Sequence, residues 1–187
     1  SHNACIRQIL LDWLALRKSK QSPVDPLNPP ASHHLMAALG WLELGNADEA
    51  LAELERIEPE LQSEPAAQAA RLECLMAGKQ WDEAAPLAEL LCEQCPEEVH
   101  FYLHFAYAAR RRTGGSLKQA YKILAPMREI FPDEWLISYN LACYLCQMNR
   151  LDEADEMLAE ARKMSGEKVE QLAAEDEDLA SLRARAD

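Results

Sequence analysis

Two Cys-x-x-Cys pairs, Cys92/Cys95 and Cys143/Cys146, and a histidine pair, His100/His104, are the residues whose types and spacing are suited to chemistry. Paired thiolates at that spacing hold zinc or cycle as a redox dithiol, and two imidazoles four apart on a helix reach one metal. Zinc sites built from two such pairs keep them close together on turn-forming knuckles. Here the first pair falls at a helix end and the second inside a helix, far along the chain. No acid lies between the histidines, unlike a His-Glu-x-x-His zinc helix, and no third ligand is indicated. Cysteine is also a small, readily buried core residue. Packing is the expected role of the thiols, and no metal or cofactor is expected. His33 and His34 open the first helical segment and read as surface or helix-start residues.

Other reaction chemistry is missing as well. The chain carries no glycine-rich phosphate loop and no nucleophile elbow. Its acids cluster at helix starts, as in Asp48–Glu49, Asp82–Glu83 and Asp152–Glu153, where they complement the helix dipole. Enzyme activity is not expected. A net charge of −13 repels polyanions, and Arg110, Arg111 and Arg112 form the nearest approach to a basic patch. Nucleic acid and anionic membrane are therefore not expected partners. The apolar run "IRQILLDWLAL" is interrupted by Asp12 and falls short of the about 18 residues that span a bilayer. Six cysteines without a dense disulfide pattern suit a reducing compartment, so the expectation is cytoplasmic.

The elements that would position these side chains follow from a repeat. The phrases "NADEALAELERI", "QWDEAAPLAELL", "SLKQAYKILAPM" and "RLDEADEMLAEA" place Ala50, Ala84, Ala120 and Ala154 at intervals of 34, 36 and 34 residues. A fixed period of this size marks stacked repeats. Apolar residues recur at three and four within each unit, so each reads as two antiparallel helices. The turns "LGNA", "AGKQ", "TGGS" and "MNRL" supply Gly or Asn for a left-handed helix end. Pro96 and Pro132 end second helices, and Pro126 predicts a kink within one. Pro86 is expected within a first turn, where a missing amide costs little.

The chain resembles the tetratricopeptide-repeat family. Unit three carries Tyr102, Phe105, Ala106, Ala120, Leu124 and Pro132 at the family positions, and unit four carries Leu141, Ala142, Leu145, Ala154, Leu158 and Ala161. Unit one matches with Ala38, Trp41, Ala50, Leu54 and Ile57; unit two matches with Leu72, Leu75, Ala84, Ala88, Leu91 and Pro96. The family's first tryptophan is missing throughout, and Ala or Leu replaces its glycine. The resemblance implies an all-α, right-handed α-solenoid of about four helix pairs, at 31–64, 65–98, 99–134 and 135–164.

Two flanks complete the organisation. Residues 1–21 hold an amphipathic segment in which Arg7, Arg17, Lys18 and Lys20 outweigh Asp12, giving +3 over 3–20 and leaving −16 for the rest of the −13 chain. The linker 22–30 contains four prolines and would reach roughly 30 Å as an extended strap. Residues 165–187 are expected to form a solvated C-terminal cap, with the acids 175–178 as a helix start.

The resemblance also implies that the first helix of each unit lines a concave groove for a peptide or helix. Carried over unit by unit, the lining is Leu35, Leu39, Leu42 and Glu43, then Ala69, Glu73 and Met76, then Leu103, Tyr107, Arg110 and Arg111, then Tyr139, Cys143, Cys146 and Gln147. Leucines at 35 and 39 disfavour the carboxylate clamp of the heat-shock adaptors in that family. The expected function is non-catalytic protein binding through this groove. The expected partner is an apolar peptide or helix with basic character, with a homodimer through the N-terminal segment as a further option. A secretion-type chaperone and a metal or thiol protein are the alternatives.

Overall fold

The computed structural model describes residues 27–186. Helices α1 (Ala31–Glu43) and α2 (Ala47–Leu54) form the first pair, and α3 (Pro65–Ala77) and α4 (Trp81–Gln94) the second. In the third, α5 (Val99–Arg111) is followed by α6 (Leu117–Leu124) and the short α7 (Met127–Ile130). The fourth pairs α8 (Trp135–Gln147) with α9 (Leu151–Glu175), and a 3-10 turn, Glu177–Leu179, leads into α10 (Ala180–Ala186). No strand occurs among the described residues. The arrangement is an all-α solenoid.

Each unit's first helix is 13 residues long, and the starts at 31, 65, 99 and 135 are 34, 34 and 36 apart. The two extra residues fall in the turn between α5 and α6. There a Cβ on Gly115 would lie 2.2 Å from the carbonyl oxygen of Ala109, so the close approach of backbone to backbone requires glycine. The repeated alanines explain the stacking. Ala50, Ala84, Ala120 and Ala154 are all fully buried, and only a methyl group fits where helix backbones pass at this range. Units one and two share one core and units three and four another. Helix α5 joins them, giving Phe101, Tyr107 and Ala108 to the first and Leu103 and Ala106 to the second.

Local departures have local causes. Helix α2 stops at Leu54 because Pro59 holds Glu58 extended (φ −51°, ψ 137°). The Gln62 side-chain amide then donates to the freed carbonyl of Ile57 at 2.9 Å. Pro126 interrupts the second helix of unit three as expected: α6 stops at Leu124, Ala125 and Pro126 keep helical φ/ψ, and α7 resumes at Met127. Pro86 lies at the sixth position of α4, not in its first turn, because the helix begins at Trp81 and runs on through the proline. The left-handed turn residues are Gly45, Lys79, Gly114 and Asn149. In unit two that residue is Lys79 rather than Gly78, since the turn geometry places it two residues before α4 as Gly45 and Asn149 stand before α2 and α9.

The C-terminal region differs most from expectation. Helix α9 breaks its helical backbone at Ser165 (φ −150°, ψ 63°) and continues to Glu175. Asp176 is extended, and the chain then folds back along α8. Val169, Ala173, Leu179 and Leu182 are buried, as is the carboxylate of Asp176. The cap is therefore integrated into the second core, not solvated. Residues 1–26, including the amphipathic segment and most of the proline linker, lie outside the described residues.

Candidate binding groove

The fifteen residues assigned to the groove separate into three environments. Leu35, Leu39, Leu42, Ala69 and Met76 are buried in the first core, and Leu103 and Cys146 lie in the second. Their side chains hold neighbouring helices together; the apolar strip expected there is closed. Glu43 is exposed at the end of α1.

The second group crosses the junction between the cores. Glu73 on α3 is 1% exposed, and its Oε1 accepts a hydrogen bond from Nε2 of the fully buried His104 on α5 at 2.6 Å. Nδ1 of His104 has no hydrogen-bond partner. Beside this pair, the Arg111 guanidinium stacks over Tyr107 at 3.4 Å from its centroid, and Trp81 packs against the same ring at 5.7 Å. Burial, and then the neighbouring Arg110 charge, lowers the pKa of Arg111 from its ordinary value. Asp82 at the start of α4 accepts from both the backbone and the hydroxyl of Thr113, at 2.7 and 2.8 Å. The junction is thus sealed by polar and aromatic contacts as well as alanine packing.

The third group holds a segment of the chain itself. Asp178 accepts two hydrogen bonds from Arg110, at 2.7 and 3.1 Å, in a bidentate pair. The Tyr139 hydroxyl donates to Asp176 at 2.9 Å, and Cys143 Sγ lies 3.8 Å from the same oxygen. Gln147 donates its amide to the backbone carbonyl of Asp178 at 3.0 Å. Arg183 ties the segment's own backbone, donating to the carbonyls of Ala173 and Asp176 at 2.6 and 2.7 Å. Burial opposes the Arg110 cation, but the Asp178 carboxylate outweighs it and holds the guanidinium above its ordinary value. The face of α5 and α8 at units three and four is therefore covered by the chain's own residues 176–179. The acids expected to form a solvated helix start pack against it.

The remaining candidate chemistry resolves into packing. Cys92, Cys95 and Cys146 are buried thiols. Burial, helped by Glu89, pushes the Cys92 thiol up to about 12, and burial with Glu73 does the same to Cys74. His100 Nδ1 faces Glu98 at 4.0 Å while His104 is taken by Glu73, so the two imidazoles serve different partners. No group of three or more His, Cys, Asp or Glu that could hold a metal occurs among the described residues. Alkylation of Cys74 and Cys92 in the native chain at pH 8 is expected to run about 10³-fold slower than for an unperturbed thiol, since thiolate is the nucleophile. Mass spectrometry resolved by residue checks this; rapid native labelling at either site would contradict the burial.

One surface went unread in the sequence. Met36, Gly40 and Leu44 recur at intervals of four on the outer face of α1, with Trp41 beside them. Leu44 is 77% exposed and Met36 60%, and nothing lies near a Cβ built at Gly40. The four-residue spacing was the available signal.

These stacked helix pairs, with alanine at the crossings and a chain segment gripped along the first helices, define a tetratricopeptide-type α-solenoid. The solved structure of TTC0263, a thermophilic TPR protein in Thermus thermophilus, is similar at a TM-score of 0.64 and 18% identity, covering 83% of this chain and 87% of that one. The model of the coatomer epsilon subunit family matches residues 22–175, and the chain belongs to that family. No curated protein matches the sequence. No described helix is long and apolar enough to cross a membrane.

Proposed function

We propose that the protein is a non-catalytic scaffold that holds a segment of another protein chain against its first helices, as a subunit of a coat-type complex like the one that names its family. The observation carrying this reading is that α5 and α8 hold a short turn of the chain's own C-terminal segment with a guanidinium, a phenol and a side-chain amide. Backbone and side-chain recognition of this kind suits a peptide segment, not a small molecule. The net charge of −13 favours a partner that is basic outside the gripped segment.

Residues 3–20 enter the reading as a cover for the open face of α1. Their +3 charge opposes the −16 of the rest, and an exposed apolar strip such as Met36, Trp41 and Leu44 calls for a covering helix.

The test is reconstitution of coatomer lacking its epsilon subunit, with the full chain added. Co-elution at one copy per complex is expected; a chain that elutes alone at micromolar concentrations overturns the assignment to a coat. Light scattering and dye binding on the full chain and on a chain lacking residues 1–30 test the N-terminal segment. A dimer that becomes a monomer on truncation puts residues 3–20 between copies, and a monomer that gains dye binding puts them on their own chain. No change in either readout removes the covering role.

A further inference from the structure

We propose that residues 176–182 are a displaceable tethered ligand, and that the site beneath them accepts a partner segment with carboxylates at two alternate positions followed by leucine. This rests on the scaffold reading above and names the chemistry that its surface at units three and four selects.

Four observations converge on it. The segment is bound mainly through side chains of other elements: Asp178 to Arg110, Asp176 to Tyr139, and the Asp178 carbonyl to Gln147. Its recognition elements form a compact pattern, Asp-x-Asp-Leu, in which Leu179 is buried at 1% exposure directly after the second carboxylate. A linear motif of this design transfers to another chain, because its polar contacts use two side chains and one backbone carbonyl within three consecutive residues.

A solvent-open cleft of about 190 Å³ runs between Leu179, Leu182 and Arg183 and the residues Asp155, Leu158 and Arg162 on α9. Finally, the residues matching the coatomer epsilon family end at 175, one before Asp176. The gripping residues Arg110, Tyr139 and Gln147 lie inside the family match, while the segment they hold lies outside it.

Competition follows from tethering. A short tether keeps the local concentration of residues 176–182 near the millimolar range, so a free peptide at micromolar concentration displaces little of it. Weakening the tethered copy frees the site for a rival. Arg110 is then the cation that selects an acidic rival, since Gln147 reads only backbone and Tyr139 donates to any carboxylate.

The experiment uses the full chain and a fluorescein-labelled peptide of residues 174–186, AEDEDLASLRARA. Fluorescence anisotropy should show at least about 10-fold tighter peptide binding to the Asp178→Ala chain than to the unaltered chain, by relief of competition. Adding Arg110→Ala should remove that gain, and a peptide with both aspartates changed to asparagine should not bind. Hydrogen exchange on the unaltered chain supplies an arm independent of folding in the variant. Amides 177–186 should exchange at least about 10-fold faster than those of α8, because displacement is a sub-global opening. Equal protection of the two segments would make residues 176–182 permanent core and overturn the proposal, as would a folded Asp178→Ala chain that binds no peptide. Failure here with successful incorporation into coatomer would leave the scaffold reading standing and remove only the tethered ligand.

Discussion

Glu73→Ala is expected to lower the unfolding free energy by about 3–5 kcal/mol, the usual consequence of removing one partner from a buried charge-assisted pair. The carboxylate and the His104 imidazole are both essentially without solvent contact, so the imidazole left behind would lose its hydrogen bond at Nε2 while Nδ1 already lacks one. Water cannot repair the loss without opening the junction between α3 and α5. A loss of this size is a large fraction of a domain's stability of about 5–15 kcal/mol. The location decides what unfolds. Glu73 belongs to the unit-two helix and His104 to the helix that joins the two cores, and stacked repeats couple chiefly to their neighbours. Hydrogen exchange in the variant should therefore rise first across residues 31–95, with units three and four less affected. The double replacement Glu73→Leu/His104→Leu removes both polar groups and should recover most of the loss. Urea denaturation measures all three chains. A Glu73→Ala chain within about 1 kcal/mol of the parent would mean that the pair is not buried in solution.

Ala120→Leu is the second large effect. Ala120 is fully buried on α6, in the core shared by units three and four, where α6 packs against both α5 and α8. Three added carbons have no space there without pushing backbones apart, so a cost of about 3 kcal/mol is expected, at the upper end of ordinary overpacking. The control is Ala52→Leu, on the exposed side of α2, which should stay within about 0.5 kcal/mol of the parent. Helix propensity is nearly the same for the two residue types, so the difference between the variants reports packing alone. Equal melting temperatures for the two variants would show that the repeated alanine is not the close-approach residue assigned to it.

The contrast between the two substitutions marks where sequence reading is strong. The alanines at 50, 84, 120 and 154 recur with the repeat, and a recurring small residue in a helical phrase has one simple physical use, the crossing of backbones. Glu73 offers no such signal. It occupies a first-helix position assigned to a groove, and nothing local to it indicates that a histidine 31 residues away would bury it. The groove residues illustrate the same limit. Leu35, Leu39 and Met76 do sit on first helices, but their face is covered by neighbouring helices. Arg110, Tyr139 and Gln147 all contact the segment 176–178. The acidic segment 176–179 reads as solvated from its composition alone.

Even the turns divide this way. The left-handed residue at Gly45, Gly114 and Asn149 follows residue type, because glycine and asparagine tolerate positive φ. At 77–80 the backbone requirement passes to Lys79, despite the glycine next to it.

The sequence by itself determined the helix pairs, their period near 34, the alanine crossings and the proline break at 126, because these depend on interactions within a few residues or on a pattern repeated along the chain. Only the tertiary structure decided which helix faces stay open, that Glu73 meets His104, and that Asp176 and Asp178 fold back onto Tyr139 and Arg110. Exposure and partnership depend on what arrives from distant parts of the chain, and local periodicity carries no record of that arrival.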